Sequence, residues 1–106
     1  MKEQEFAEEL RVALSGALMQ DVAVAITPWQ GGEYVIRVEV GTAYASHIKD
    51  VDVPKDIRRT VIWTFEKGGR VAWIKIPNLN FMYLAADLMA GNLFGQGLTE
   101  EMRRGK

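Results

Sequence analysis

The stretch TVIWTFEKGGRVAWIKIP, Thr60 to Pro77, carries the clearest structural signal in this 106-residue chain. Runs rich in β-branched and aromatic residues lie on either side of a glycine pair, the pattern of a β-hairpin. With Gly68-Gly69 as a two-residue turn of the primed type, Val61 faces Ile76, Trp63 faces Ile74 and Phe65 faces Ala72. That face is wholly apolar and is expected in a core. The opposite face holds Thr60, Ile62, Thr64, Glu66, Val71, Trp73 and Lys75, a mixed set that water or a partner could cover. Val53, Ile57, Val61 and Phe65 also stand at helical spacing, with Gly68 as a stop, but the density of β-forming residues favours the hairpin.

A second pair of β-branched runs, Val22 to Thr27 and Tyr34 to Val40, flanks Pro28-Trp29-Gln30-Gly31-Gly32-Glu33. Here the register can be argued, because a one-residue slip sends a whole apolar set to the wrong face. A three-residue loop over Gln30-Gly31-Gly32 puts Val22, Val24 and Ile26 opposite Val40, Val38 and Ile36. It leaves Ala23, Ala25, Thr27, Trp29, Val35, Arg37 and Glu39 on the other face.

Helices are predicted at both ends. Phe6, Leu10, Ala13, Leu14, Ala17 and Leu18 line one side of a first helix over Glu3 to Met19, and Glu3, Glu5, Glu8 and Glu9 suit the positive end of its dipole. Asn78 or Asn80 caps a last helix running to about Ala90, with Gly91 ending it. That helix is apolar almost all round, so it must bury more than one face, and Asp87 alone interrupts it. Asp87 marks its solvent stripe, or, if buried, needs a partner such as Arg37. Between the hairpins, Gly41 to Asp52 fits helical spacing at Tyr44, Ile48 and Val51 and strand alternation at Tyr44, Ser46, Ile48 and Asp50, with an edge strand the preferred reading, and Asp52-Val53-Pro54 reads as the start of a short helix to about Arg59. The expected fold is α+β: an antiparallel sheet of two hairpins, with that edge strand as a fifth, and N- and C-terminal helices packed on one face. Residues 1–98 make one domain and 99–106 a charged C-terminal tail.

Composition narrows the functional classes. The chain is 48% hydrophobic and 25% charged, which supports a core without a staple. A net charge of -1 excludes the whole-chain basic excess of nonspecific nucleic-acid binders. Absence of cysteine removes disulfides, thiolate chemistry and Cys-ligated metals. The start MKEQEFAEEL is too charged for a signal-peptide core, so a cytoplasmic location is the expectation. Leu79 to Leu98 is too polar for a membrane span.

Catalytic constellations are sparse, and neither an enzyme nor a cofactor or metal site is expected. His47 is the single histidine; Asp50 and Asp52 nearby could orient it for acid–base work, but an exposed or strand-edge histidine explains it as well. Neither Ser15-Gly16 nor Ser46 has the context of a nucleophile elbow. Both glycine pairs are explained as turns rather than phosphate loops. Basic residues gather at Lys55, Arg58 and Arg59, at Lys67 and Arg70, and at Arg103, Arg104 and Lys106. With Trp73 and Lys75 on the outer face they outline a nucleic-acid-associated accessory role as the second reading, weakened by Asp50, Asp52, Asp56 and Glu66 among them.

The leading reading is a small non-enzymatic protein-interaction module, of adaptor, inhibitor or chaperone-like kind, acting as a homo-oligomer. A two-layer domain would leave the outer face of the second hairpin and part of the last helix without cover. The expected partner interface comprises Ile62, Val71, Trp73, Lys75, Met82, Leu88 and Met89, the methionines lending an adaptable surface. The order of elements resembles that of the small dimeric secretion chaperones that bind unfolded stretches of a partner protein. The resemblance spans most of the chain and lies in element order alone. It implies a dimer and a protein partner, and no residue or activity is transferred from it.

Overall fold

The computed structural model describes residues 2–45, 48, 53–66 and 69–92. In order they form α1 (Lys2–Leu18), β1 (Val22–Pro28), β2 (Tyr34–Val40), β3 (Ile62–Glu66) and β4 (Gly69–Ile76). A second helix, α2, follows over 82–92. This is the expected α+β class, with a helix at each end of an antiparallel sheet.

Apolar spacing on α1 turns Leu10 and Leu14 into the core, flanked by Phe6, Ala7 and Leu18. Glu3 and Glu5 occupy its first turn, where the helix dipole favours a carboxylate. On its outer side the Arg11 guanidinium, hydrogen-bonded to Glu8, holds that carboxyl below its ordinary range. Met19 ends the helix with a left-handed φ of 54°. The Ser15 hydroxyl then accepts a 3.3 Å hydrogen bond from the Val22 N–H, tying helix to sheet.

The first hairpin has the expected register, Val22 opposite Val40, Val24 opposite Val38 and Ile26 opposite Ile36. Its loop is closed by the Trp29 N–H donating to the Glu33 carbonyl at 2.7 Å. Gly31 and Gly32 follow with φ of 71° and 77°, a conformation that disfavours any side chain.

The second hairpin forms with a register moved by two residues. Trp63 faces Ala72 rather than Ile74, Phe65 faces Arg70 rather than Ala72, and Glu66 faces Gly69. Residues 67 and 68 are then the two between the strands, and they lie outside the described residues. A shift of two keeps every side chain on its expected face, so the apolar pattern cannot tell the two registers apart. It does carry Phe65 past the end of the core, where it is 72% exposed.

Antiparallel pairing of β2 with β4, from Tyr34 opposite Ile76 to Val40 opposite Arg70, joins the hairpins into a four-stranded sheet of order β1-β2-β4-β3. The chain leaves β2 in the middle of the sheet and must reach β3 at its far edge, so the 41–61 connection crosses a sheet face. On one face Val22, Val24, Ile36, Val38, Ala72, Ile74 and Ile76 pack with Leu10 and Leu14 of α1 and Met82, Ala85 and Met89 of α2. On the other, Val35, Val71 and Trp73 are buried with Trp29, Ile48, Val53, Ile57 and Ile62 around them. The sheet is covered on both sides.

The connection departs from expectation. Residues 41–45 and 48 are not strand, and the remainder of the Gly41–Asp52 edge strand lies outside the described residues. The short helix after Asp52 is a single turn, closed by the Ile57 N–H on the Pro54 carbonyl at 3.3 Å. The chain then extends and gives the Arg58 carbonyl to the Lys75 N–H at 2.8 Å, because β4 offers an unpaired edge there. At the other end, α2 runs through Gly91 to Asn92 instead of stopping at Gly91. The tail over 99–106 falls outside the described residues. Among those described, no helix is long and apolar enough to cross a membrane.

Burial separates the two aromatic residues of the second hairpin. Trp73→Ala empties a fully enclosed site and is expected to lose about 3–5 kcal/mol of unfolding free energy. Phe65→Ala is expected to stay within about 0.5 kcal/mol of the wild type. Urea unfolding of both variants measures the difference.

Candidate functional site

The side chains left to solvent point to α2. Its start is set by Asn78, whose side-chain oxygen accepts the Asn80 N–H at 2.9 Å, and by a 3-10 turn over Leu79–Phe81. From there Met82, Ala85 and Met89 recur at the spacing of one helical face and are buried against the sheet. The remaining apolar residues cannot turn inward: Phe81, Tyr83, Leu84 and Leu88 are all exposed. Asp87 is exposed as well, so it marks the solvent stripe and has no call on Arg37.

An apolar cleft borders each side of α2. One, of about 250 Å³, lies between the helices and is lined by Phe6, Leu10, Ala13, Met82, Tyr83 and Ala86, with Glu9 at its rim. Phe6 and Tyr83 meet edge to face there, ring centroids 6.4 Å apart. The other, of about 100 Å³, lies over β4, with Ile74, Ile76, Phe81, Leu84 and Leu88 as its apolar lining and Arg59 and Lys75 as its charged members.

Polar chemistry gathers on the opposite sheet face. Arg37 is 6% exposed, the single buried charged side chain among the described residues. Its guanidinium donates to Glu39, two residues along the same strand face, and through Nη2 to Glu66 Oε2 at 2.7 Å. It also lies 5.2 Å from the centre of the Trp73 ring, a cation–π distance. Trp73 Nε1–H in turn donates to Thr64 Oγ1 at 2.8 Å. Arg37, Glu39, Glu66, Thr64 and Trp73 thus form a satisfied network under the connection. Strand parity already puts all five on one face in the sequence. What the sequence does not reveal is that a third layer closes over them.

The expected interface residues are scattered by this arrangement. Trp73, Val71, Met82 and Met89 are buried, which corrects the expectation that they lie open to a partner. The connection occupies the face that a two-layer count left bare, and the two methionines are helix core. Ile62 is half-buried beside Trp73. Lys75 is half-buried with Nζ 3.5 Å from Glu33 Oε1. Leu88 remains exposed on α2. Of the nucleic-acid set, Lys55, Arg58 and Arg59 are exposed, with Asp56 exposed among them, while the enclosed Trp73 cannot stack on a base. Arg70 lies over the Trp63 ring at 5.8 Å on the helical side. His47 and its neighbours Asp50 and Asp52 lie outside the described residues. Among those described, no group of three or more His, Asp or Glu side chains could hold a metal ion.

No family model, curated protein or solved structure matches the chain.

Removing the Arg37 guanidinium takes from Glu39 and Glu66 the cation they share. Arg37→Met is expected to cost about 3 kcal/mol, the low end for breaking a buried ion pair, because Glu66 keeps some water contact. Glu66→Gln retains the hydrogen-bond geometry and is expected to cost less than about 1 kcal/mol. Thermal and urea unfolding of the two variants give the comparison.

Proposed function

We propose that the chain is a small non-enzymatic protein-interaction module, acting as a homo-oligomer whose copies meet across the helical layer. The observation that carries this reading is the cleft between α1 and α2. Among the described residues its lining is apolar but for Glu9, and Tyr83, at its edge, is 70% exposed. Small residues, Ala13 and Ala86, form the hollow, and a large ring forms the neighbouring ridge. Two copies related by a two-fold axis can each insert Tyr83 into the other's hollow, a self-complementary contact of the isologous kind.

The nucleic-acid reading has less in its favour. With Trp73 enclosed and Lys75 beside Glu33, what supports it is charge alone at Lys55, Arg58 and Arg59, offset in part by Asp56.

Sedimentation velocity over a wide range of protein concentration tests the oligomer. The wild type is expected to shift from monomer to dimer, and Ala13→Arg, which fills the hollow at an exposed helix position, is expected to remain monomeric at every concentration. A wild type that stays monomeric throughout, or a dimer indifferent to Ala13→Arg and to Tyr83→Ser, overturns this reading.

A further inference from the structure

The second cleft, over β4, has a different origin and a different chemistry. β4 has eight residues and β3 has five, and β3 begins at Ile62 opposite Trp73. Beyond that point, among the described residues, no strand flanks Ile74, Lys75 and Ile76 on the β3 side. The extended backbone at Arg58 meets that edge through the Lys75 N–H, and Arg59 follows at the rim. Above lie the 3-10 turn and α2, which present Phe81, then Leu84 and Leu88, along the groove. These three span about 10 Å of helix, roughly two turns. The floor is Ile74 and Ile76. Among the described residues no acidic side chain lines the groove; of its two charged members Lys75 is paired with Glu33 and Arg59 is exposed, and the exposed Arg58 and Lys55 lie next along the chain with Asp56 between them.

We infer that this corner of the sheet is a docking groove for an acidic amphipathic helix of a partner protein, its apolar stripe laid against Phe81, Leu84 and Leu88 and its carboxylates against Arg59. The inference rests on the reading of the chain as a protein-interaction module and names the partner's chemistry. The length of the wall made by Phe81, Leu84 and Leu88 matches anchors at i, i+4 and i+7 of a docked helix. The cationic rim fixes the sign of the flanking charges, and like charges there would be rejected. A second copy is a poor occupant. The outward side of α1 is acidic at Glu5, Glu8 and Glu9, but among those exposed positions it offers Val12 as its one large apolar residue, so it lacks the required stripe. Docking α1 of one copy on the groove of the next would also be heterologous and would grow into filaments rather than close.

The test is a titration of the full chain with synthetic helical peptides. One carries leucine at three anchor positions and glutamate along both flanks, and a matched peptide has lysine in place of glutamate. The acidic peptide is expected to bind, and binding is expected to weaken on the order of tenfold with Arg59→Glu and to fall as salt rises. Leu84→Asp, at an exposed helix position whose fold is checked by circular dichroism, is expected to abolish it. Equal binding of both peptides, no binding of the acidic peptide to the wild type, or indifference to Arg59→Glu overturns the proposal. Binding of dodecanoate with no binding of either peptide also overturns it, reassigning the groove to a small amphiphile. Each titration is run with the oligomeric state measured in parallel. Failure of the groove with the dimer intact refutes this inference alone, whereas loss of the dimer with peptide binding intact refutes the oligomer.

Discussion

Antiparallel pairing of β2 with β4 turns two hairpins, each marginal by itself, into one sheet wide enough to hold a helical layer. Most other features follow from that pairing. It places the ends of the two hairpins side by side, so that the chain leaving β2 has to travel across the sheet to begin β3 at the opposite edge. The crossing covers Val35, Val71 and Trp73, which would otherwise be an exposed apolar face. Helices on one side and the connection on the other then give a small chain a sheet buried on both faces.

Burying the second face has an electrostatic requirement. Arg37 sits in the middle of the sheet, on β2 opposite Trp73, and is enclosed when the connection closes. An isolated buried cation would be costly, and two carboxylates and an aromatic ring together neutralise and solvate this one. The planar guanidinium can address Glu39 on its own strand and Glu66 across the sheet at the same time, a geometry that a lysine ammonium does not reproduce. The network also fixes β3, since Thr64 and Glu66 are both members of it.

Local chemistry made part of this legible from the residues. The glycine pair at 31 and 32 has one closure that keeps valines opposite valines, so the first register could be read directly. The glycine pair at 68 and 69 did not determine the second, because turns one residue apart give registers two apart and preserve every face. α1 and the start of α2 followed from periodicity and from Asn78. Gly91 did not mark the last helical residue: the helix includes Asn92, whose side-chain oxygen accepts the Trp63 indole N–H. The largest misreading was of Trp73. Counting two layers left it open to a partner, and nothing local to the connection's sequence announces that Ile48, Val53 and Ile57 lie over the sheet. For the same reason Leu88 was the expected contact residue that stayed exposed, while Tyr83, which lines one cleft, was read only as part of the apolar helix, and Arg59, which lines the other, only as part of a basic cluster.

One consequence concerns solubility. β1 forms an edge of the sheet, and its seven residues from Val22 to Pro28 include no charged side chain. Edge strands in natural proteins usually repel further strands with an inward charge, a bulge or a central proline. Here the proline stands at the end of the strand, and an acidic group beside its middle comes from the helix above, where Glu3 lines a hollow with Val24 to Thr27. The guard of this edge is therefore tertiary rather than written into the strand. Loosening the first turns of α1 would uncover a β-branched, uncharged template for intermolecular pairing, so the α1–sheet contact protects the chain from aggregation as well as from unfolding.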